Sequence, residues 1–209
     1  MSAVVVGLNW SDARELVMPL RLQGYSKYGL GVSDLEDVWD SHVNCVHLIV
    51  LNNGGGPSGC SRILFGEIGV LPLGLLTPLA QHPEFQGKLL CEASHFCVPS
   101  MQGSMTHKSA LWRAGLHEAL RQQASHLLLS TRKGGLRDYQ RMLFRNLGSE
   151  GEYHHPKRGN RKHYSLALEL EGIEERFAEI PPLHSYFFGS GKTQGTARAF
   201  QKIGNHEAR

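Results

Sequence analysis

The sequence predicts an α+β sandwich in which one mixed β-sheet is covered by helices. Segments with helical and with strand character alternate along the chain, and no internal repeat is present. The 209 residues are 41% hydrophobic and 20% charged, which is typical of a globular protein. We assign residues 1–180 to one domain. Residues 181–209 contain Gly, Ser and Lys with little apolar periodicity, so we expect a loosely ordered tail.

The N-terminal half begins with a helix over residues 12–23. Asp12 opens this helix with Glu15 three residues later, and Pro19 interrupts it. A continuous apolar run followed by a glycine-rich segment indicates a strand and a hairpin turn. The predicted elements that follow the first helix are a polar loop (24–40), a strand (44–52), the turn (52–59), the return strand (60–66), a short helix (75–83) and a strand (88–99).

The C-terminal half contains two helices, each of which precedes a strand. Ser104 or Thr106 can cap a helix that runs to about residue 124 and has an apolar face. A short buried strand is expected at residues 126–130. An amphipathic helix over residues 135–146 would end at Gly148. The last predicted strands, 152–155 and 163–170, flank a basic loop at 156–162.

The charge distribution indicates a partner. The net charge is only +3, but residues 132–162 contain nine basic and three acidic residues, a local +6. The remaining 13 basic and 16 acidic residues sum to −3. One basic face on a mildly acidic body is typical of a protein that binds an acidic partner.

Several classes of protein and of site are not expected. No apolar run approaches the roughly 20 residues of a membrane span, and the N-terminus lacks the basic region of a secretory signal. No zinc-ligand spacing is present, so we expect no metal. The four cysteines lie in apolar, strand-like segments without a C-x-x-C pair, which indicates reduced core residues of a cytoplasmic protein: Cys45, Cys60, Cys91 and Cys97.

A cluster of carboxylates suggests a cation site. Asp34, Glu36, Asp37 and Asp40 lie within seven positions, next to Trp39. The cluster is either a solvated acidic loop or a site for a metal or an organic cation such as a sulfonium. In the second case Trp39 and the nearby tyrosines, Tyr25 and Tyr28, could add cation–π contacts.

Two charged residues interrupt apolar strands. Arg62 needs a carboxylate partner if it is buried, and Asp37, Asp40 and Glu92 are the candidates; otherwise it points to water from an edge strand. Glu92 and His95 share one strand but point to opposite faces unless a bulge lets them converge.

These residues together resemble the acyl-homoserine lactone synthases, the bacterial autoinducer synthases. The resemblance spans about residues 20–170. His95 stands where that family usually has arginine, Tyr25 where it has phenylalanine, and its expected tryptophan is absent near Leu30-Gly31. The matching pieces, in family order, are Arg21 with Tyr25, Asp37-Val38-Trp39-Asp40, Arg62-Ile63-Leu64 and Glu92-Ala93-Ser94-His95-Phe96.

The resemblance implies a GNAT-like (acyl-CoA N-acyltransferase) α/β/α sandwich whose mixed central sheet has two splayed strands. The pantetheine arm of an acyl carrier protein would pass between the strands at 89–98 and 126–130. The implied activity is transfer of a fatty acyl group to the amine of S-adenosylmethionine, a substrate rather than a prosthetic group, and lactonisation would follow. No resident cofactor is implied.

The implied roles divide among three groups of residues. Glu92 would be the base, Asp37 and Asp40 would attract the cationic substrate and hold Arg62, and His95 would assist proton transfer or replace the usual arginine. Arg21, Tyr25 and Trp39 would bind substrate, and Phe96 and Val98 would lie where backbone N–H groups meet the oxyanion. The acyl pocket would include Met101, Met105, Leu111 and Trp112, although core packing explains these residues equally well.

The basic face would supply a docking site for the acidic carrier protein, unless it is only the charged face of an amphipathic helix. Arg137, Arg141 and Arg145 are spaced at i, i+4 and i+8, so they would form one stripe of the predicted helix, with Arg132 and Lys133 just before it. Two alternatives remain open. An N-acyl amino acid synthase would use the same donor with a free amino acid. A non-catalytic protein would use the basic patch to bind an acidic protein or nucleic acid, although no motif for specific nucleic-acid binding is present.

Overall fold

The computed structural model describes residues 3–99, 104–157 and 159–189. Within them the chain forms one eight-stranded sheet, with helices on both faces. The strands are β1 (Val4–Leu8), β2 (Cys45–Leu51), β3 (Pro57–Gly66), β4 (Leu90–Cys97), β5 (His126–Thr131), β6 (Arg145–Asn146), β7 (Glu152–His155) and β8 (Arg161–Glu169). The helices are α1 (Trp10–Tyr25), α2 (Val32–Leu35), α3 (Pro72–Leu76), α4 (Ser104–Arg121), α5 (Leu136–Arg141), α6 (Ile173–Ala178) and α7 (Pro181–Phe187).

The sheet has the order β1-β2-β3-β4-β5-β8-β6, and β7 also pairs with β8. Every pairing is antiparallel except that of β4 with β5, which is parallel. Parallel neighbours need a crossover connection, and α4 lies between these two strands in the chain. The mixed α+β sandwich predicted from the sequence is therefore confirmed.

Alternation along the strands places a core on each face of the sheet. On one face, α1 packs against β2 and β3 in a cluster that includes Ile49 and Cys60. On the other face, α4 packs against the same strands in a cluster that includes Leu48 and Ile63. Neighbouring residues of a strand point to opposite faces, so one apolar run can supply both cores. All four cysteines are buried, and none of them forms a disulfide.

The N-terminal elements differ from the prediction in two respects. Residues 4–8 form the edge strand β1, which the sequence analysis did not assign. Helix α1 begins at Trp10 after the cap residue Asn9, whose side chain accepts a hydrogen bond from the Asp12 amide at 3.0 Å. The helix also continues through Pro19 to Tyr25, because buried residues on both sides of the proline hold it against the sheet.

Two short helices differ from their predicted bounds. The helix predicted at 75–83 is divided into α3 and a 3₁₀ turn at Pro78–Gln81, since proline at 78 cannot continue the first helix. Helix α5 ends at Arg141 rather than at residue 146. Leu143 adopts φ 64°, and the following Phe144 is buried, so the chain turns there and pairs with β8 as β6.

The first part of the expected tail is ordered. Residues 181–187 form helix α7, and Phe187 is buried against Phe177 with ring centroids 5.0 Å apart. Arg113 and His117 of α4 donate hydrogen bonds to the carbonyl oxygens of Tyr186 and Phe187 at 2.8 and 2.9 Å. The expectation of loose order from residue 181 is therefore wrong for this segment, whose apolar residues are too few to show a helical period.

Candidate active site

Strands β4 and β5 separate partway along their length. Their ladder runs from Leu90 opposite His126 to Ala93 opposite Leu129, whereas β4 extends to Cys97 and β5 to Thr131. Beyond the ladder, β4 stays paired with β3 and β5 with β8. A gap therefore opens between the ends of the two strands. It lies where the sequence analysis expected a pantetheine arm to pass.

A cavity of about 270 Å³, which we call the polar cleft, reaches this gap from one face of the sheet. Ser94 and His95 of β4 and Ser130 of β5 line it at the gap. Its walls come from the α1–α2 connection, from α3 and from the turn between β7 and β8. Five predicted site residues also line the polar cleft: Tyr25, Asp37, Trp39, Arg62 and Glu92.

A second cavity, which we call the aromatic groove, has a volume of about 670 Å³. Phe96 and Thr131 line it where it meets the gap, and α4, α5 and α7 form its walls. Phe96 stacks on Trp112 with ring centroids 5.0 Å apart and an interplanar angle of 20°. The polar cleft and the aromatic groove thus reach the gap from opposite faces of the sheet.

A bulge in β4 brings the catalytic candidates together. Cys60 of β3 pairs with Cys97 and Arg62 pairs with Ser94, so β4 has one more residue than β3 between these pairs. Within this segment the His95 backbone has φ 49°, a left-handed conformation that residues other than glycine rarely adopt. The bulge lets Glu92 and His95 line the same cavity, as the sequence analysis required for a joint role.

Two arginines and two aspartates form a buried network behind the polar cleft. Arg21 donates to both carboxylate oxygens of Asp40 at 2.8 Å and to the Leu35 carbonyl oxygen at 2.7 Å. Arg62 Nη1 lies 2.5 Å from Asp37 Oδ1 and 3.2 Å from Asp40 Oδ1. The carboxylate partners that the sequence analysis sought for Arg62 are therefore Asp37 and Asp40, and the charges within this network balance.

Only one of the two aspartates is open to the polar cleft. The Asp40 side chain is 0% exposed, whereas that of Asp37 is 21% exposed. Burial alone would raise the pKa of Asp37, but His95 and the Arg62 charge hold this pKa well below its usual value. Asp37 is therefore anionic and accessible. Asp40 cannot meet a substrate, so it positions Arg21 and Arg62.

Glu92 has the electrostatics of a general base. It is 4% exposed, and burial raises its pKa to about 7, although the carboxylate accepts a hydrogen bond from the Leu73 amide at 2.9 Å. Its charge is not neutralised by a direct ion pair in the described part of the chain. A carboxylate that titrates near neutral pH can accept a proton from an ammonium group and release it again.

His95 has different electrostatics in the same cavity. Burial lowers its pKa to about 3, against the attraction of Asp37, whose Oδ2 lies 3.7 Å from His95 Nε2. The imidazole is therefore neutral at pH 7. Its Nδ1 atom is buried and has no hydrogen-bond partner among the described residues.

The residues predicted to bind substrate divide between the two faces. Tyr25 and Trp39 line the polar cleft, and the Tyr25 ring lies edge-on to His95 with centroids 6.0 Å apart. Arg21 is fully buried in the network, so it anchors the loop before Asp40 instead of touching the cavity. Phe96 faces the aromatic groove, and Val98 packs against the core.

The predicted acyl-pocket residues also have different surroundings. Trp112 and Met105 line the aromatic groove, and Met105 is 70% exposed. Leu111 is 1% exposed in the main core cluster, which is the packing alternative that the sequence left open. Met101 lies outside the described residues.

The predicted carrier-docking stripe is shorter than expected. Arg137 and Arg141 are exposed on α5, and Arg141 lines the aromatic groove together with Lys108. Arg145 instead lies on β6 and pairs with Glu84, so its place in the stripe is wrong because the helix ends four residues earlier. Arg132 and Lys133 are exposed where β5 ends at the gap.

The structure also reveals contacts that the sequence analysis missed. Ser94 accepts a hydrogen bond from Arg62 Nε at 3.0 Å, and the Leu73 amide binds Glu92. Tyr153 donates to Ser130 at 2.9 Å inside the polar cleft, and Lys157 adds a cation to its lining. The E-x-S spacing was a signal for Ser94, whereas the others depend on chain segments brought together only by folding.

None of the described helices combines the length and apolar character that a membrane span requires. The described residues also contain no group of three or more His, Cys, Asp or Glu side chains that could hold a metal ion.

The fold matches solved N-acyltransferases. FeeM, an N-acyl amino acid synthase from uncultured soil microbes, has a TM-score of 0.70 at 18% identity over 83% of this chain and 93% of its own. The AHL synthase LasI has a TM-score of 0.62 at 21% identity over 80% and 90%, respectively. A putative N-acetyltransferase from Lactobacillus plantarum has a TM-score of 0.57 at 13% identity over 81% and 99%. No family model and no curated protein matches the sequence.

These likenesses show that the chain has the GNAT-type acyltransferase fold. The family that the sequence resembles, the AHL synthases, and the alternative class, the N-acyl amino acid synthases, are both represented among its structural neighbours.

Proposed function

We propose that this protein is an N-acyltransferase that moves a fatty acyl group from an acyl carrier protein to the amine of S-adenosylmethionine, giving an N-acyl-homoserine lactone. The observation that supports it best is the gap between β4 and β5, where the polar cleft and the aromatic groove meet beside Glu92. One cavity can hold a polar amine and the other an apolar chain, with a base at their junction.

In the proposed reaction the acyl thioester enters through the aromatic groove and the amine through the polar cleft. Glu92 takes a proton from the substrate ammonium group, directly or through one water, because only the neutral amine attacks a thioester. The amine nitrogen adds to the thioester carbon, and collapse of the tetrahedral intermediate releases the thiolate, which takes a proton. For S-adenosylmethionine, attack of its carboxylate on the γ-carbon then closes the lactone and expels methylthioadenosine.

The lining of the polar cleft supports a cationic acceptor. Asp34 and Asp37 contribute carboxylates, and Tyr25 and Trp39 contribute aromatic rings. A sulfonium group gains from both kinds of contact. Lys157 lies in the same lining and can pair with the acceptor's carboxylate.

A free amino acid is the second candidate for the acceptor. The TM-score of FeeM, an N-acyl amino acid synthase, is 0.70, against 0.62 for LasI. An amino acid also has the ammonium and carboxylate groups that Asp37 and Lys157 can bind. The acyl donor and the role of Glu92 are the same for both candidates.

The test is to incubate the purified protein with an acyl carrier thioester and either S-adenosylmethionine or a panel of amino acids. Release of free thiol measures transfer, and mass spectrometry identifies the product. A lactone that forms only with S-adenosylmethionine supports the proposal, and an acyl amino acid supports the second candidate. If no amine gives thiol release above that of a reaction without protein, the enzymatic interpretation is wrong and the non-catalytic binding role gains support.

A further inference from the structure

Four exposed apolar side chains surround one side of the polar cleft. Val38, Val70, Leu75 and Leu76 are 78%, 56%, 61% and 39% exposed, and we call them the apolar rim. Leu75 and Leu76 line the polar cleft together with Trp39. Val38 precedes this tryptophan in the chain, and the indole N–H donates to the Val70 carbonyl oxygen at 3.2 Å. Trp39 therefore connects the four residues of the apolar rim to the polar cleft.

Basic side chains occupy the other side of the same mouth. Lys157, in the turn between β7 and β8, lines the polar cleft. Arg132 and Arg161 are both exposed, and the guanidinium carbon of each lies 5.6 Å from the centroid of the Tyr28 ring. The Tyr28 ring lies 6.2 Å from that of Tyr25, which lines the cavity. These three cations thus lie close around the opening.

A single exposed leucine or valine is common on a protein surface, but a cluster that borders a cavity indicates contact with another surface. Apolar side chains beside lysine and arginine are the combination that binds the interface of an anionic lipid bilayer, where the former enter the acyl boundary and the latter meet phosphate groups. An acidic protein surface would satisfy the cations and leave the apolar rim in contact with polar groups.

We propose that the mouth of the polar cleft is a peripheral binding site for an anionic membrane surface. The apolar rim and the cations Arg132, Lys157 and Arg161 would contact the lipids. The exposed Asp34, which an anionic surface would repel, also lines the mouth and would leave that part open for the amine. The aromatic groove and α5 remain on the opposite face for the acyl donor. This inference rests on the geometry of the mouth and not on the identity of the acceptor amine.

The test is co-sedimentation of the full chain with vesicles. One set contains phosphatidylcholine alone, and the other contains about 30% phosphatidylglycerol as the anionic lipid. We expect the protein to sediment with the anionic vesicles at low salt and to bind them several-fold less at high salt, because salt screens the cations.

Three variants assign the binding to this surface. Leu75→Ser with Leu76→Ser removes half of the apolar rim, and Lys157→Glu with Arg161→Glu reverses two cations. Each pair should lower binding to anionic vesicles by about tenfold or more. Val4→Ser is the matched control, because Val4 is 37% exposed but lies on the edge strand β1, three strands away from β4 and the gap. Its binding should equal that of the wild type.

Val38→Ser tests the same inference without touching the lining of the cavity. Val38 is the most exposed member of the apolar rim, so its replacement leaves the core intact, and circular dichroism verifies the fold of every variant. We expect a several-fold loss of vesicle binding. Binding at the wild-type level by both Val38→Ser and the leucine pair would contradict the proposal.

Three other outcomes would overturn it. The first is absence of wild-type binding to anionic vesicles. The second is that the wild type binds no vesicles and that Lys157→Glu with Arg161→Glu has a raised apparent KM for carrier-bound donor. This result would assign the surface to the acidic carrier. The third is a wild-type dimer that Leu75→Ser with Leu76→Ser dissociates, which would assign it to a second copy of the chain. Thiol release without lipid tests the proposed function separately.

Discussion

Glu92 and His95 line one cavity, yet their environments give them opposite protonation behaviour. Burial raises the pKa of Glu92 to about 7 and lowers that of His95 to about 3. A base is most effective when its pKa lies near the working pH, so Glu92 suits proton removal from an amine better than His95 does. The neutral imidazole instead lies beside Asp37, with its Nε2 atom 3.7 Å from Asp37 Oδ2.

Replacing Glu92 with glutamine should abolish most of the activity. The amide has nearly the same shape and can still accept from the Leu73 amide, but it cannot accept a proton from the substrate. We expect turnover to fall by at least about 100-fold, with little change in the apparent KM for the acyl donor. Steady-state thiol release measures both constants.

The matched control is Glu67→Gln, because Glu67 is exposed in the loop after β3 and does not line the polar cleft. Its turnover should equal that of the wild type. Full activity of Glu92→Gln would remove Glu92 from the mechanism.

At the scale of single elements, α5 is short and its arginines do not all share one surface. Arg137 and Arg141 remain on the helix, whereas Arg145 pairs with Glu84 beside His126, where β5 begins. Only the first two can meet a carrier protein that delivers its arm through the aromatic groove.

Charge reversal separates these two locations. Arg137→Glu with Arg141→Glu should raise the apparent KM for carrier-bound donor by about tenfold, because steering by opposite charge is lost. Arg145→Glu is the internal control, and its KM should stay within twofold of the wild-type value, about the scatter of such measurements. A KM that rises equally in both variants would assign the effect to net charge instead of to a docking face.

Helix α7 closes the aromatic groove and is held by a few specific contacts. Leu183 and Tyr186 line the groove, and Phe187 is 2% exposed in the core. Phe187→Ala should lower the free energy of unfolding by about 3 kcal/mol, because it removes a large buried side chain and leaves a cavity. Urea denaturation monitors this change. Ser185→Ala, on the exposed side of the same helix, should leave stability unchanged.

At the scale of the whole molecule, burying Glu92 has a cost that depends on pH. Its folded pKa of about 7 exceeds the unfolded value, so the folded state binds more protons between about pH 4.5 and 7. The contribution of Glu92 to stability is therefore complete below this range and is lost as the pH rises through it. Burial lowers the pKa values of His47 and His95 to about 4 and 3, and this has the opposite effect on stability. Their contribution to stability is complete above about pH 6.5 and is lost as the pH falls below this value.

Comparison of Glu92→Gln with the wild type isolates this effect. We expect the melting temperature of the variant to rise relative to the wild type by several degrees between pH 5 and about pH 8, because the amide never becomes charged. Thermal melts across this pH range measure the difference. A constant difference would show that Glu92 titrates normally.

The fold was predictable because its long elements have clear hydrophobic patterns. The strands around Cys45 and Cys91 and the helix α4 lie close to their predicted bounds. Strand β1 and helix α7 were missed because their pairing and packing partners are distant in sequence. Tertiary contacts therefore determine whether such short elements form more than local sequence propensity does.

The site was predictable to the extent that its motifs are local. Asp37, Arg62 and Glu92 meet at one cavity, as their family resemblance implied. Two features could not be inferred from spacing. Full burial excludes Asp40 from the cavity, and the early end of α5 moves Arg145 to another edge of the sheet. Both depend on which segments cover the site in three dimensions.

Two cavities reach the gap between β4 and β5, and they open on opposite faces of the sheet. Under the proposed function, donor and acceptor can therefore be bound at the same time. The acyl group can then pass directly from one to the other in a ternary complex, without a covalent acyl-enzyme intermediate. If the proposed function holds, the lining of the polar cleft can change to fit another amine without altering the aromatic groove that would hold the acyl chain.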